Sequence, residues 1–222
     1  ESDVITGYDV YIDLIRERFR HKQLISTPMK KEAERCRLAL EEALKGRTVA
    51  MVCSGDAGVY GMAGLMYEVA QQYDPVEIEV VSGITAACSG AAVLGAPLIH
   101  DFAAISLSDL LTPWELIEKR IDCAAAADFV ICFYNPSSKK RKDYLKKACE
   151  IVLRHRDAGT MCGYVRNIGR EGEAGTVLTL GELRDVQVDM FTTVFIGNSQ
   201  TTEIGGKLVT PRGYRIDSSI EE

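Results

Sequence analysis

The sequence has few of the residues that bind metals or build disulfide frameworks. It contains three histidines in 222 residues, and none of its seven cysteines forms a C-x-x-C pair. Structural zinc sites draw their ligands from closely spaced cysteine and histidine residues, and disulfide frameworks use an even number of cysteines. We therefore predict no metal site, and we interpret the cysteines as reduced thiols of a cytoplasmic protein.

A basic surplus and a membrane-length apolar helix are missing as well. The formal net charge is -6, whereas nucleic-acid-binding domains carry a basic surface. The apolar stretch at residues 84–99 is shorter than the ~20 residues of a spanning helix, and Pro97 interrupts it. No signal or transit peptide opens the sequence. These absences predict a cytoplasmic protein with no nucleic-acid partner and no membrane partner.

Short apolar runs alternate with helical patterns along the sequence. The β-type runs lie at residues 48–55, 76–83, 128–135, 160–167 and 192–199. Apolar residues at 3/4 spacing predict helices at residues 29–45 and 138–156, and residues 84–99 predict a buried helix. This βαβα order predicts an α/β protein with mainly parallel or mixed sheets.

The predicted elements fall into two α/β domains. A buried helix ends near Pro97, and a new strand begins at about Phe102. We therefore predict an N-terminal domain at residues 1–101 and a C-terminal domain at residues 102–222. A cleft between two such domains is the expected place for a ligand.

The segment "MVCSGDAGVYGMAGLMYEVA", residues 51–70, contains a glycine at every third position from 55 to 64, directly after a predicted strand. Ligands of open α/β sheets bind at the carboxyl ends of strands, where glycines expose main-chain groups. No G-K-[ST] follows, which argues against a nucleoside triphosphate. Asp56 is either a helix N-cap or a ligand for a polar group. Gly58, Gly61 and Gly64 are three residues apart and share one face of a helix, which allows either close packing on the sheet or close approach of a ligand.

Similar turns follow other predicted strands. Small or amide residues occur in "SGITAA", "FYNPSS" and "VRNIG", so these turns offer main-chain groups and little fixed charge. A phosphate would require arginine or lysine there. A neutral site with one carboxylate suits a ligand that carries adenine, ribose and a positive centre, such as S-adenosylmethionine. Methyl transfer from a sulfonium needs in-line positioning and exclusion of water more than strong acid–base groups.

Four segments carry a resemblance to a known family. They are "GDAGVYGMAG", "SGITAACSGAAVLGAPLIHDFAAISLSDLLTPWE", "FYNPSS" and "VFIGNSQT". Through them the sequence resembles the tetrapyrrole (corrin/porphyrin) methylases over essentially its whole length. The resemblance implies an α/β homodimer that binds S-adenosylmethionine between its domains. It also implies methyl transfer to C17 of precorrin-3B, or of its cobalt-bearing counterpart, with ring contraction, in cobalamin biosynthesis.

The resemblance also implies which residues bind the cofactor. They are Gly55, Asp56, Val59, Thr85, Ala86, Tyr134, Asn135 and Ile168. Cobalt enters, if at all, only as part of the substrate. Family members begin with a strand and a G-x-G-P-G loop before the segment that resembles residues 1–15, so we expect the N-terminal domain to lack both.

Two alternatives to this function stay open. One is another activity of the superfamily, on a different tetrapyrrole carbon or on an RNA ribose. The other is a truncated, non-catalytic homologue that binds a tetrapyrrole or a nucleotide. Binding of the demethylated donor separates an enzyme from such a homologue.

A precorrin carries many carboxylates, so its site requires basic groups. A helix predicted to begin after Pro136, with Ser137 or Ser138 as its cap, carries Lys139, Lys140, Arg141 and Lys142 in its first turn. Cations there oppose the helix dipole, and an anionic ligand would compensate. A solvated basic face is the alternative. Arg166 and Arg170, which flank another predicted strand end, are further candidates.

Candidate proton-transfer residues lie near the proposed domain boundary. Ring contraction moves protons on the macrocycle, which makes the pair His100 and Asp101 a candidate for acid–base catalysis. Ser108 is a further candidate. The alternative roles are a hinge histidine bonded to the backbone and a serine that ends a strand.

Overall fold

A computed structural model of the chain describes residues 1–138 and 141–214. Its contacts divide the chain into two compact units, of which the first is Glu1–Thr85 and the second begins at Ala86. We call them unit 1 and unit 2. Among the described residues, no helix has the length and apolar character that a membrane crossing requires.

Unit 1 is built on a small parallel sheet. Its elements are β1 (Val4–Tyr8), α1 (Asp9–Ile15), β2 (Gln23–Thr27), α2 (Glu32–Leu44), β3 (Val49–Val52) and α3 (Ala63–Ala70). The strand order is β2-β1-β3, and β1 pairs in parallel with both neighbours. The carboxyl ends of the strands therefore lie at one edge of the sheet. The apolar core of the unit includes Cys36, Leu40 and Val69, which come from α2 and α3.

Residues 76–83, predicted as a strand, form no strand in the structure. The hydroxyl of Tyr67 donates to the carbonyl of Ile78 at 3.3 Å, and the N–H of Gly83 donates to the Asp56 carboxylate. Both partners are side chains, and no described strand pairs with the segment. An alternating sequence predicts a strand only if a neighbouring strand accepts its main-chain hydrogen bonds. The prediction was wrong at this segment.

Unit 2 contains a large mixed sheet and a small one. Its elements are α4 (Ala86–Leu94), β4 (Gly95–Ala96), β5 (Phe102–Ser106), α5 (Trp114–Ala126), β6 (Val130–Tyr134), α6 (Tyr144–Val152), β7 (Met161–Arg166), β8 (Ala174–Thr179), α7 (Leu180–Leu183), β9 (Thr192–Ile196), β10 (Thr202–Ile204) and β11 (Lys207–Val209). The large sheet has the order β5-β6-β9-β7-β8, and the small one has the order β10-β11-β4.

The direction of the strands in the large sheet decides which loops share an edge. β5 and β6 are parallel, whereas β9 is antiparallel to both β6 and β7. β7 therefore runs in the same direction as β6, and the carboxyl ends of β5, β6 and β7 lie at one edge. The apolar core of this sheet includes Phe133, Ile121 and Leu145.

Helix α4 packs on the sheet of unit 2. It contacts β7, β8 and β9, and a Cβ added at Gly90 would lie 2.8 Å from the ring of Phe195. The lack of a side chain at Gly90 thus lets the helix approach the sheet closely. The sequence predicts the domain boundary after residue 101, whereas these contacts group α4 with the second unit. The limits of independently folding domains stay a prediction.

Helix α6 begins later than the sequence predicts. Its first residue is Tyr144 and its N-cap is Asp143, so Arg141 and Lys142 precede the helix. The N–H of Arg141 instead donates to the carbonyl of Ser138 at 3.1 Å, which closes a turn. Lys139 and Lys140 lie outside the described residues. The expected row of cations in the first turn of a helix was therefore wrong for Arg141 and Lys142.

The seven cysteines are free thiols. Four of them, Cys36, Cys132, Cys149 and Cys162, are buried. Burial raises the pKa of Cys36 to about 11 and that of Cys162 to about 12, so both thiols stay protonated at neutral pH. They pack as small apolar side chains.

Candidate active site

The glycine-rich loop follows β3 at the carboxyl edge of the sheet in unit 1. Gly55 has a φ of +74°, which a residue with a side chain rarely adopts. Gly55 and Gly58 are exposed, and Val59 farther along the loop is 37% exposed. The loop therefore exposes main-chain groups and an apolar side chain at the edge where α/β sheets bind ligands.

The Asp56 carboxylate joins two turns of unit 1. Its Oδ1 accepts a hydrogen bond from the N–H of Gly58 at 2.8 Å, and its Oδ2 accepts one from the N–H of Gly83 at 2.8 Å. The N–H of Gly83, and next that of Gly58, hold the pKa of this carboxyl below its usual range. Asp56 is consequently ionised at neutral pH. A carboxylate has about four acceptor sites, so Asp56 can accept a further hydrogen bond.

Gly83 contacts the main chain of the glycine-rich loop. A Cβ added at Gly83 would lie 2.1 Å from the carbonyl oxygen of Gly55, closer than atoms approach without a clash. The sequence predicts ligand-binding turns at residues 55–58 and 82–86, and the structure brings Gly55, Asp56 and Gly83 together. Thr85, the last residue of unit 1, follows two residues later.

Arg35 is a buried cation of unit 1 that the sequence analysis missed. It is 4% exposed, and its Nη2 donates to the carbonyls of Thr27 and Pro28 at 3.3 and 3.2 Å. Its guanidinium lies 5.7 Å from the centre of the Tyr8 ring. Arg35 thereby ties together the carboxyl ends of β1 and β2. A charged residue within a helical pattern gave no sign of this burial.

In unit 2, Tyr134 connects the end of β6 to the beginning of α4. The hydroxyl of Tyr134 accepts a hydrogen bond from the N–H of Ala87 at 2.8 Å. That N–H belongs to the first turn of a helix, where main-chain donors have no partner within the helix. Tyr134 is only 9% exposed, so its ring fixes the position of the hydroxyl. Two predicted cofactor residues, Ala86 and Tyr134, are thus brought together.

Ile168 and Asn135 complete the predicted cofactor residues of unit 2. Ile168 packs against the apolar cluster that contains Ala87 and Tyr134, so the structure brings it to the same region. Asn135 has a φ of +51°, and its Nδ2 donates to the Oγ of Ser106 at 3.1 Å. Asparagine tolerates this left-handed conformation better than most residues. Its side chain joins the carboxyl ends of β5 and β6.

Replacement of Tyr134 by phenylalanine is expected to loosen the start of α4. The N–H of Ala87 loses its acceptor while the packing of the ring is kept, which we expect to cost about 1 kcal/mol, as for a lost N-cap. Urea denaturation measures this loss, and hydrogen exchange at residues 86–88 locates it. Tyr164→Phe is the control, because the Tyr164 hydroxyl makes no hydrogen bond to the residues that the structure describes. Equal exchange at residues 86–88 in both variants would show that the bond between Tyr134 and Ala87 does not stabilise the start of α4.

Arg141, a predicted substrate ligand, is largely engaged within unit 2. Its Nε donates to the Oγ of Ser138 at 3.1 Å, and its Nη1 donates to the carbonyl of Leu107 at 3.2 Å. The Asp109 carboxylate lies 3.7 Å from its Nε. These contacts balance its charge and hold the chain near Ser138 against Leu107. Lys139, the other candidate from this segment, lies outside the described residues.

The remaining basic candidates lie at the carboxyl end of β7 and just after it, at the same edge as Tyr134. The Nη2 of Arg166 donates to the carbonyl of Gln187 at 2.8 Å. The guanidinium of Arg170 lies 5.5 Å from the centre of the Phe191 ring. Both side chains are therefore held in place by neighbours within unit 2.

The predicted acid–base residues fall at opposite ends of β5. His100 and Asp101 precede this strand, and their nearest atoms, Nδ1 and Oδ2, are 3.9 Å apart. Ser108 follows the strand, and its N–H donates to the Oγ of Ser106 at 3.2 Å. Ser106 also contacts Asn135, so Ser108 lies at the edge of the predicted cofactor residues of unit 2. His100 and Asp101 lie at the other edge and are not brought together with them.

Asp109 and Tyr144 form a hydrogen-bonded pair at the edge that carries Ser108. The hydroxyl of Tyr144 donates to Oδ2 of Asp109 at 2.6 Å, and this bond raises the pKa of Tyr144. The ring of Trp114 packs on Tyr144, with ring centres 4.3 Å apart. Asp109 directly follows the predicted candidate Ser108 in the sequence, whereas nothing in the sequence pointed to Tyr144.

Comparisons with known proteins identify the family of the chain. Residues 1–184 match the family described as Tetrapyrrole (Corrin/Porphyrin) Methylases. The chain is 46% identical to a probable cobalt-factor III C(17)-methyltransferase of Salmonella typhimurium, over 97% of this chain and 90% of that protein. It is 47% identical to the cobalt-factor III methyltransferase of Priestia megaterium, over 97% of this chain and 41% of that longer protein. The crystal structure of the methyltransferase CobJ matches with a TM-score of 0.87 and 38% identity, over 95% of this chain and 89% of that one.

Proposed function

Because the chain belongs to the tetrapyrrole (corrin/porphyrin) methylases, we propose that it transfers the methyl group of S-adenosylmethionine to C17 of cobalt-factor III in cobalamin biosynthesis. The main support is the 46% identity to the Salmonella typhimurium relative, a similarity that extends over 90% of that protein. The relative is named a probable cobalt-factor III C(17)-methyltransferase. The metal-free precorrin-3B is the alternative substrate. The ring contraction implied by the family resemblance is part of the proposal.

Unit 1 offers a site that suits the cationic donor. The loop after β3 exposes main-chain groups, and the Asp56 carboxylate beside it stays ionised at neutral pH. A carboxylate attracts the positive sulfonium and ammonium groups and accepts hydrogen bonds from ribose hydroxyls. We propose that Gly55, Asp56, Val59 and Thr85 bind the donor, and that the Asp56–Gly83 bond sets the shape of their loop.

Unit 2 carries the other four predicted cofactor residues, in largely apolar surroundings. Ala86 and Ile168 pack with Tyr134 in one cluster, and Asn135 is fixed on Ser106. We propose that these four residues contact the adenosine part of the donor, where apolar surface and main-chain groups are sufficient. S-adenosylmethionine supplies the reactive methyl group, and the chain's part is to orient it and exclude water. The cleft between the domains stays a prediction, as do the homodimer and the cytoplasmic location.

Proton transfer during ring contraction requires a group at the substrate. Of the predicted candidates, Ser108 lies at the edge of unit 2 that carries Asn135, and the Asp109–Tyr144 pair lies nearby. We propose this edge, rather than His100 and Asp101, as the place of proton transfer. The reason is that His100 and Asp101 lie at the opposite end of a five-residue strand, about 16 Å long.

Two measurements on the purified chain test the proposal. Isothermal calorimetry with S-adenosylhomocysteine is expected to give saturable binding with one site per chain. Incubation of S-adenosylmethionine with cobalt-factor III is expected to add one methyl group to the tetrapyrrole, detected by mass spectrometry and located at C17 by NMR. Donor binding with methylation at another carbon would indicate a different activity of the superfamily. Absence of donor binding would indicate a non-catalytic homologue and would refute the proposal.

A further inference from the structure

The loop between β5 and α5, residues 107–113, exposes two adjacent leucines. The side chain of Leu110 is 68% exposed and that of Leu111 is 98% exposed. Single exposed apolar residues are common on protein surfaces and need no explanation. Two in succession at the tip of one loop are less common, and neither contributes to the core of unit 2. We call residues 107–113 the dileucine loop.

The base of the dileucine loop is firmly attached. Leu107 is fully buried, its N–H donates to the carbonyl of Tyr134 at 2.9 Å, and its own carbonyl accepts from Arg141. Asp109 accepts a hydrogen bond from Tyr144. At the other end, the carbonyl of Pro113 accepts the first hydrogen bonds of α5. The exposed tip is thus carried by a fixed base, and the two leucines are not needed to hold it.

The position of the loop suggests a ligand. It follows β5 at the carboxyl edge of the parallel pair β5–β6, next to Tyr134, the last residue of β6, and to Asn135, which follows it. Ligands of α/β sheets bind outside the carboxyl ends of parallel strands. An apolar tip at such an edge suits a large, flat ligand with an apolar face.

We propose that Leu110 and Leu111 bind the apolar face of the tetrapyrrole and thereby set the affinity for this substrate, without contacting the methyl donor. This inference rests on the proposed function, which supplies a macrocycle as the second substrate. A second copy of the chain is the competing occupant. Two leucine side chains cover far less than the ~800 Å² per partner of a standard protein interface, which favours the small ligand.

A double replacement, Leu110→Ser with Leu111→Ser, tests this assignment. The chain contains one tryptophan, Trp114, directly after this loop at the start of α5, so quenching of its fluorescence reports binding of cobalt-factor III directly. We expect the Kd for cobalt-factor III to rise about tenfold, equivalent to about 1.4 kcal/mol. The Kd for S-adenosylhomocysteine, measured by calorimetry, is expected to stay unchanged.

Two further variants serve as controls. Leu110→Met with Leu111→Met keeps apolar side chains and is expected to retain the affinity for cobalt-factor III. Ile204→Ser replaces an exposed apolar residue, 57% exposed, on the β10–β11 hairpin and is expected to leave both affinities unchanged. Since all these residues are exposed, the variants are expected to fold, which thermal denaturation checks.

The outcomes separate this inference from the proposed function. If the double serine variant binds cobalt-factor III as tightly as the original chain, the inference is wrong even where methylation proceeds. If sedimentation shows that the serine variant loses a dimer while its tetrapyrrole affinity is kept, the leucines bind a second copy instead. A chain that binds cobalt-factor III through these leucines but methylates nothing would support the inference and refute the proposed function. A chain that binds no tetrapyrrole would overturn both.

Discussion

Replacement of Gly83 by alanine is expected to lower methyl transfer about 100-fold. The added methyl group would lie 2.1 Å from the carbonyl oxygen of Gly55, and because that atom belongs to the main chain it cannot move aside alone. The turn at residues 55–58 has to shift, and the bond from Gly83 to Asp56 breaks with it. A displacement of about 1 Å in a positioning loop is sufficient for a loss of this size. Steady-state kinetics and donor calorimetry measure it.

Gly64→Ala provides the matched control for this experiment. Gly64 lies in α3, and a Cβ added there meets nothing within 4 Å. Alanine in the first turn of this helix is expected to be neutral, or to stabilise the chain by up to about 1 kcal/mol. If the Gly83 variant retains activity within about threefold of the Gly64 variant, the contact between Gly83 and Gly55 has no role in the site.

Replacement of Arg156 by methionine is expected to cost about 3 kcal/mol of unfolding free energy. The side chain of Arg156 is 4% exposed and donates to the carbonyls of Gly197 and Phe129. These carbonyls flank the end of β9 and the beginning of β6. Methionine retains much of the apolar volume but leaves two carbonyls without their donors, which is the costly part of the change. Urea denaturation of both proteins gives the difference.

Arg154→Met separates this effect from a loss of surface charge. Arg154 is two residues away and exposed, so its replacement is expected to change stability by no more than about 0.5 kcal/mol. Equal stability of the two variants would show that the buried guanidinium contributes nothing beyond its charge.

The strands that sequence reasoning located share one property. β3, β6 and β9 are continuous runs of apolar and β-branched residues, of which β6 and β9 are buried throughout, and β7 departs from this pattern only at Gly163 and Arg166. Such runs are recognisable without any knowledge of their neighbours. The strand predicted at residues 76–83 has the right alternation but no partner strand among the described residues. The start of α6 was misplaced because the turn at Ser138 and Arg141 depends on Leu107, which is distant in the sequence.

In the candidate site, too, the sequence indicated local features but not the contacts between distant residues. The glycine spacing after β3 correctly pointed to a strand-end loop with exposed main chain. What fixes that loop is the bond between Asp56 and Gly83, and what fixes α4 is the bond between Tyr134 and Ala87. These pairs are separated by 27 and 47 positions. Local patterns carry no information about such distant partners, and the sequence therefore indicated the residues but not their pairing.

The use of N–H groups as partners has an evolutionary consequence. Asp56 and Tyr134 each bond to an amide that every amino acid except proline possesses, so positions 83 and 87 do not owe these bonds to their side chains. A substitution at position 87 keeps this bond as long as the new side chain fits the buried space that Ala87 occupies. Hydrogen bonds of this kind let the fold persist while the sequence changes, in keeping with a TM-score of 0.87 at 38% identity to CobJ.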